Sequence, residues 1–273
     1  VPEPVHADFI DLMKKELPIL ALARFYDMTG ADSVTIQRKT ARAVSGGIVT
    51  ETEARPTTAA ATYEEVTLKA FEYYANPRAS QLFLDSVANA EADIYADVRQ
   101  ALVEDYGADL INGVGSTTEP EGLLTGITAH TISGSDSTIT NTGLHNLSFD
   151  LAAAYARNGK YLMRRATLGV LDTLAHPASA NTPLVTWVGG VPYILGKEVL
   201  ECEDMPAIGA GNFPVFFGDI NQAYGCGVHR NWTMLRDPYT DKPFIHFYTI
   251  GRMGGVVRDV NAGRKLEITD DVS

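Results

Sequence analysis

The chain has 273 residues, 45% hydrophobic and 21% charged, which is the composition of an ordinary globular protein with room for one or two cores. No apolar run approaches the roughly 20 residues that span a bilayer, so a membrane-crossing helix is not expected. With 34 acids against 22 bases the net charge is −12, and the basic clusters (Lys14-Lys15, Arg38-Lys39 with Arg42, Arg164-Arg165) are short and balanced by nearby acids, which argues against sequence-specific DNA recognition.

Residues 1–20 lack a signal-peptide pattern, because Glu3, Asp8, Asp11 and Glu16 interrupt the apolar residues. Phe9, Ile10, Met13, Leu17 and Leu20 permit an amphipathic turn or two, while Pro2, Pro4 and Pro18 limit any helix. The expectation over 1–30 is an extended arm with a short helix. Residues 31–44 read as a strand. Residues 45–62, SGGIVTETEARPTTAAAT, hold only Ile48 and Val49 as large apolar side chains and cannot bury enough surface to order themselves. Beyond them Val66, Leu68 and Ala70 alternate with Glu65, Thr67 and Lys69 as in a strand. A long two-stranded hairpin resting on something else fits this pattern, with a disordered loop as the alternative.

Phe83, Val87, Ala90, Ile94, Val98, Leu102 and Tyr106 step by three or four, which predicts one helix over 78–108, started by Asn76-Pro77 and ended by Gly107. Its length would be roughly 45 Å. Within 110–126 the Gly-rich NGVGSTTEPEG reads as a turn, and 127–147 as loop or weak strand. Ser148 is expected to cap a helix through Ala156, Asn158-Gly159 to turn the chain, 161–164 to form a strand and 166–174 a short helix. Strands and turns alternate from Leu184 onward, with 213–217 and 244–250 flanking a polar turn at 236–243 and Gly254-Gly255 closing the segment. The class is α+β, with one long helix and mostly antiparallel sheet.

The chemistry-bearing patterns are few. Gly113, Gly115 and Gly122 match neither phosphate-cradle spacing, and two acids sit among them. The run 208–212, IGAGN, precedes no helix and reads as loop. The six histidines form no metal-ligand pair, and neither Cys202 nor Cys226 stands at ligand spacing from them. These two cysteines read as buried thiols of a reducing compartment, with a disulfide as the alternative. No nucleophile elbow is present, and the paired carboxylates read as solvated surface.

Four segments in register carry a resemblance: the helix running into LINGVGSTTEPEGLLTG, GKYLMRRATLGVLDTL at 159–174, VGGVPYILGKEVLECEDMP at 188–206, and FGDINQAY with VHRNWTMLRDPYTDKPFIHFYTIGRMGGVVRDVNAGRKLEI. Together they resemble the major capsid proteins of tailed bacteriophages with the HK97-type fold, including the capsids of gene transfer agents. The resemblance implies an HK97-like capsid fold with an N-terminal arm at 1–30, a peripheral-domain strand at 31–43, an extended loop at 44–75 and the spine helix of the peripheral domain at 76–116. It further implies an axial domain at 117–225 and a return to the peripheral domain over 226–273. The implied function is self-assembly into hexamers and pentamers of an icosahedral-type shell around double-stranded DNA, without catalysis, cofactor or metal. Implied partners are further copies of the chain, portal and head-completion proteins, a maturation protease acting on the precursor, and packaged DNA contacted non-specifically, with no membrane. The implied location is a virion capsid assembled in the bacterial host cytoplasm, and the non-Met start is similar to the mature end left by such a protease.

The resemblance also implies subunit-interface residues: Glu53, Arg55 and Pro56 in the loop, and Arg236, Asp237, Tyr239, Asp241 and Lys242 in the polar turn. In crosslinked members a loop Lys bonds to a neighbour's Asn, aided by a Glu. Arg55 stands at the matching loop position and cannot form that bond. The segments matching the Asn and Glu read 242–244 and 249–251, so a noncovalent shell is expected, with Arg55 pairing to Asp237 or Asp241 of a neighbour. The alternatives are an encapsulin-like compartment enclosing cargo enzymes and an unrelated hydrolase, whose nucleophile and base the sequence does not display.

Overall fold

The computed structural model describes residues 17–28, 30–41, 43–49, 52–87, 89–176, 179–229 and 233–269. Most of the expected arm, 1–16, therefore lies outside the described residues. Helix α1 (Pro18–Leu22) starts on a proline, whose fixed φ suits a first turn, and it buries Ile19 and Leu20. Strand β1 (Arg24–Asp27) follows. Strands β2 (Ser33–Ala41) and β3 (Thr62–Lys69) pair antiparallel, with Val34 opposite Leu68 and Arg38 opposite Glu64. The expected hairpin is thus present, but its strands stop at Ala41 and Thr62. The described residues between them carry no strand, because this Gly-, Thr- and Ala-rich stretch has no apolar face to lay against a sheet.

After β4 (Phe71–Ala75) and β5 (Arg78–Ser80) come α2 (Gln81–Ser86) and α3 (Ala90–Asn112). The single helix expected over 78–108 is therefore broken. Residues 78–80 are drawn into a sheet, where Ile245 pairs with Ala79. The Ser80 hydroxyl then accepts from Phe83 N to start α2. Val87 is extended and Asn89 left-handed at φ 66°, a region that asparagine tolerates better than most residues. At 23 residues, α3 is about 35 Å long. Gly107 does not end it. A Cβ at Gly107 would stand 2.5 Å from a Leu17 methyl and 2.6 Å from an Asp204 oxygen, so the glycine is there for close packing.

The chain continues through α4 (Leu123–Gly126), β6 (His130–Ile132), α5 (Asn141–Asp150), α6 (Ala153–Ala156), β7 (Lys160–Met163) and α7 (Arg165–Asp172). Thr140, not Ser148, caps α5: its hydroxyl accepts from Gly143 N, whereas Ser148 lies inside the helix and donates to Leu144 O. A small pair, β8 (Ala175–His176) and β9 (Ser179–Pro183), precedes β10 (Val185–Val188), β11 (Val191–Ile194), β12 (Lys197–Glu201) and β13 (Val215–Gly218). Helix α8 (Ile220–Ala223), capped by Asp219, leads to β14 (Tyr224–Val228), β15 (Thr233–Asp237), β16 (Phe244–Val257) and β17 (Gly263–Glu267).

Two main sheets result. In one, the 14-residue β16 pairs with β14, β15, β4 and β5, and β1 adds to β14. The other has the order β10-β11-β12-β7-β13-β17-β6, mixed in direction because β12–β7 and β17–β6 are parallel. Strand β17 lies in this second sheet. The chain crosses back after β16, and Leu266 pairs with Val215. Tyr106, Leu110, Leu102 and Val98 on α3 pack with Leu20, Tyr224 and Val257 in one core. Tyr161, Phe217, Leu144 and Leu147 build the other. Each such fully buried side chain contributes about 1.5–3 kcal/mol. The cysteines are free and buried, Cys202 and Cys226 both.

Candidate functional site

The surfaces that fit no core lie on the β2–β3 hairpin and the β15–β16 turn. On the hairpin's connecting segment Glu53, Arg55 and Pro56 are all exposed. Ile48 has 103% of its reference exposure and Val44 58%, apolar surface left in water within the subunit. The base of the hairpin is held differently. Ile36 and Leu68 pack with Met28 and Val256 in a small cluster. A Cβ on Gly254 would collide with the carbonyl oxygen of Lys69, and one on Gly255 with the Tyr224 hydroxyl. Gly254 therefore lets the hairpin cross β16 backbone to backbone, while Gly255 makes room for the Tyr224 and Leu110 side chains, and a close approach is the usual meaning of glycine inside a strand.

Arg38 completes the attachment. Its Nη2 donates to Glu121 Oε2 at 2.6 Å, and its Nε to Val257 O at 2.8 Å. The same Glu121 oxygen accepts from Val257 N at 3.0 Å. Glu121 is itself fixed, since its N–H donates to Gly255 O and its carbonyl accepts from the Tyr224 hydroxyl at 2.6 Å. Sequence reasoning missed this pair. Glu121 read as one more acid in a turn and Arg38 as part of a basic cluster, and nothing local signals a partner so far along the chain.

The turn brings Arg236, Asp237, Tyr239, Asp241 and Lys242 together on one hairpin of the first sheet. Arg236 Nε lies 3.4 Å from Glu91 on α3. Asp237 accepts from Tyr239 N at 2.8 Å, from Thr240 N and from the Thr240 hydroxyl. These bonds, the Thr240 hydroxyl foremost, hold its carboxyl below the ordinary value. Asp241 accepts from Arg78 at 3.1 Å and stands 3.7 Å from His246. Tyr239 projects with 81% exposure, and Lys242 precedes a cis proline. The loop residues and the turn residues thus form two groups on separate elements.

Two aspartates, Asp109 on α3 and Asp204 packed against it at Gly107, sit in partly dry surroundings. Tyr73 donates to Asp109 at 2.6 Å, and burial, with Glu119 and Asp105 nearby, pushes the Asp109 carboxyl up. Burial also raises Asp204, against the opposing pull of Cys202 and Arg164. Cys202 is itself pushed up to about 12, chiefly by burial. Among the described residues no group of His, Cys, Asp and Glu is placed to hold a metal ion. No helix there is long and apolar enough to cross a membrane.

Residues 1–268 match the model of the Phage capsid family. The chain belongs to that family. A capsid from an empty gene transfer agent (GTA) particle is 25% identical, with TM-score 0.78 over 91% of this chain and 88% of that one. A native GTA particle capsid is 24% identical, with TM-score 0.78 over 91% and 89%. A protein of Microbacterium phage Oxtober96 is 12% identical, with TM-score 0.67 over 98% and 94%, a likeness of fold. A search of curated protein sequences gave no match. This phage capsid protein is accordingly a major capsid protein of HK97-like fold, a structural chain that forms a shell, and the encapsulin-like alternative is not favoured.

Proposed function

We propose that this capsid protein assembles as hexamers and pentamers into a noncovalent, icosahedral-type shell around double-stranded DNA. In this reading the first sheet with α3 is the peripheral domain, and the second sheet with α5 and α7 is the axial domain that meets neighbours around the ring axes. The extended loop carries Glu53, Arg55 and Pro56 onto an adjacent subunit, and the Arg236–Lys242 turn receives contacts from others. Portal and head-completion proteins, a maturation protease and DNA are the further partners, and assembly takes place in the host cytoplasm.

The observation that carries the reading is the exposed loop. Ile48 and Val44 leave apolar surface in water at the end of an element without a core, and identical copies bury such surface in closed rings. The net charge of −12 suits a container whose wall does not hold packaged DNA by its phosphates. Electron microscopy of the purified chain tests the reading. Shells with fivefold and sixfold capsomers are expected, and a chain that stays monomeric at every concentration would overturn it. Low-salt gel shifts test the charge argument, which tight binding of free DNA by capsomers would contradict.

A further inference from the structure

We propose that Arg38 and Glu121 are positioning residues that set the angle at which the extended loop leaves the body. The proposal rests on the reading that this loop contacts neighbouring copies. The hairpin crosses β16 over one short stretch, where Lys69 passes Gly254 and Leu68 and Ile36 pack on Met28 and Val256. One crossing is a pivot about which a two-stranded ribbon can swing. The ladder places Arg38 opposite Glu64, four pairs outward from Val34 and Leu68. At about 3.3 Å per residue that is roughly 13 Å from Leu68 and about 7 Å from Ile36, the outermost buried hairpin residue of that cluster. A second hold at this distance turns the pivot into a fixed direction.

The hold has the chemistry for that task. The planar Arg38 fork engages a carboxylate and the Val257 carbonyl at once, which the single ammonium of a lysine does less well. The receiving carboxylate is anchored to β16 through Val257 N, and its own backbone is tied to Gly255 and Tyr224. The two side chains are only 13% and 23% exposed, so salt screens the pair weakly. Outward of it the described loop residues, Arg55 included, are exposed apart from half-buried Val49 and Ala61, so a small rotation at Arg38 becomes a large displacement where a neighbour must be met.

Distances between nitroxide labels on the full chain test this. Ala59→Cys on the loop and Ala96→Cys on α3 are both exposed, and native Cys202 and Cys226 are buried. Dilute unassembled subunits otherwise wild type should give a single narrow distance peak. Arg38→Met and Glu121→Gln should lose that peak to a broad distribution, and Arg38→Lys should restore part of it. Glu121→Gln keeps an acceptor for Val257 N and carries the test if Arg38→Met does not fold. Unchanged narrow peaks in both variants overturn the inference. So does broadening seen only where the melting temperature falls as far as in Leu68→Ala, a plain packing loss. If the unsubstituted chain forms no shells, the functional reading fails while the label result still decides the hinge. If it forms shells and the variants keep narrow peaks, only this inference fails.

Discussion

Arg38 and Glu121, 83 positions apart in the chain, meet at 2.6 Å and join the β2–β3 hairpin to the turn that follows α3. Through Val257, which donates to Glu121 and accepts from Arg38, the pair also grips the last residue of β16. Three parts of the fold are thus fastened by one carboxylate. Glu121→Ala should cost about 2 kcal/mol, because it leaves Arg38 Nη2 and Val257 N without their acceptor. Denaturant titration checks this, with exposed Glu64→Ala as the comparison. Equal midpoints for the two variants would contradict it.

Glycine substitutions should divide by what a Cβ would meet. Gly254→Ala drives a methyl into the Lys69 carbonyl, and the backbone there has no easy way to yield. A loss of about 3 kcal/mol or failure to fold is expected. Gly169 lies within α7 with nothing within 4 Å of the added atom, so Gly169→Ala should stabilise by about 0.5–1 kcal/mol. Thermal melts of the two variants should shift in opposite directions.

Asp109 and Asp204 give a pH dependence of unusual sign. Burial raises both carboxyls in the folded state, so between the ordinary aspartate value and the raised values the native chain holds more protons than the unfolded one. Their contribution therefore improves as pH falls through that window and worsens as pH rises out of it. Asp204→Asn should stabilise at neutral pH by on the order of 0.5 kcal/mol, after discounting for solvent screening. The gain should shrink as pH falls through the raised value and vanish below the ordinary aspartate value, where both states hold the proton. A melting-temperature difference that grows as the pH is lowered would run against this account.

Arg55 bears on how copies of the chain are held together. A shell without isopeptide links should run as one monomer band on a denaturing gel, and a ladder of multimers would refute this. Arg55→Ala should disassemble at lower salt and denaturant than wild type if its guanidinium meets a neighbour's acid. Asp241 is the better acceptor of the two acids considered, since the Asp237 carboxylate takes three bonds from its own turn whereas Asp241 takes one, from Arg78. Asp241→Asn should then reproduce the Arg55→Ala phenotype, and the double variant should add little to either.

Much of this architecture was legible as pattern. The 3.6-residue stripe of Val98, Leu102 and Tyr106 marked α3, alternation marked β3, and the run from Phe244 marked the start of β16. Four segments in register pointed to the family. These signals are local, or local pieces in fixed order, and a side chain carries its own polarity wherever it sits. The break marked by extended Val87 and left-handed Asn89 and the capture of 78–80 by β16 were not legible, and at 78–80 the reason is that a neighbouring strand competes with helix. The stop assigned to Gly107 failed for a similar reason: glycine reads as a helix end, yet here Leu17 and Asp204 press against its face.

By itself the sequence determined that the chain is an acidic α+β protein with a long helix, a coreless loop and no assembled catalytic motif. Only the tertiary structure decided that β17 leaves its sequence neighbours for the second sheet. It also decided why Gly254-Gly255 must be small and which acid Arg38 finds. Composition and periodicity report what each residue prefers. Pairings such as Arg38 with Glu121 depend on where the chain returns, which no window of neighbouring residues contains.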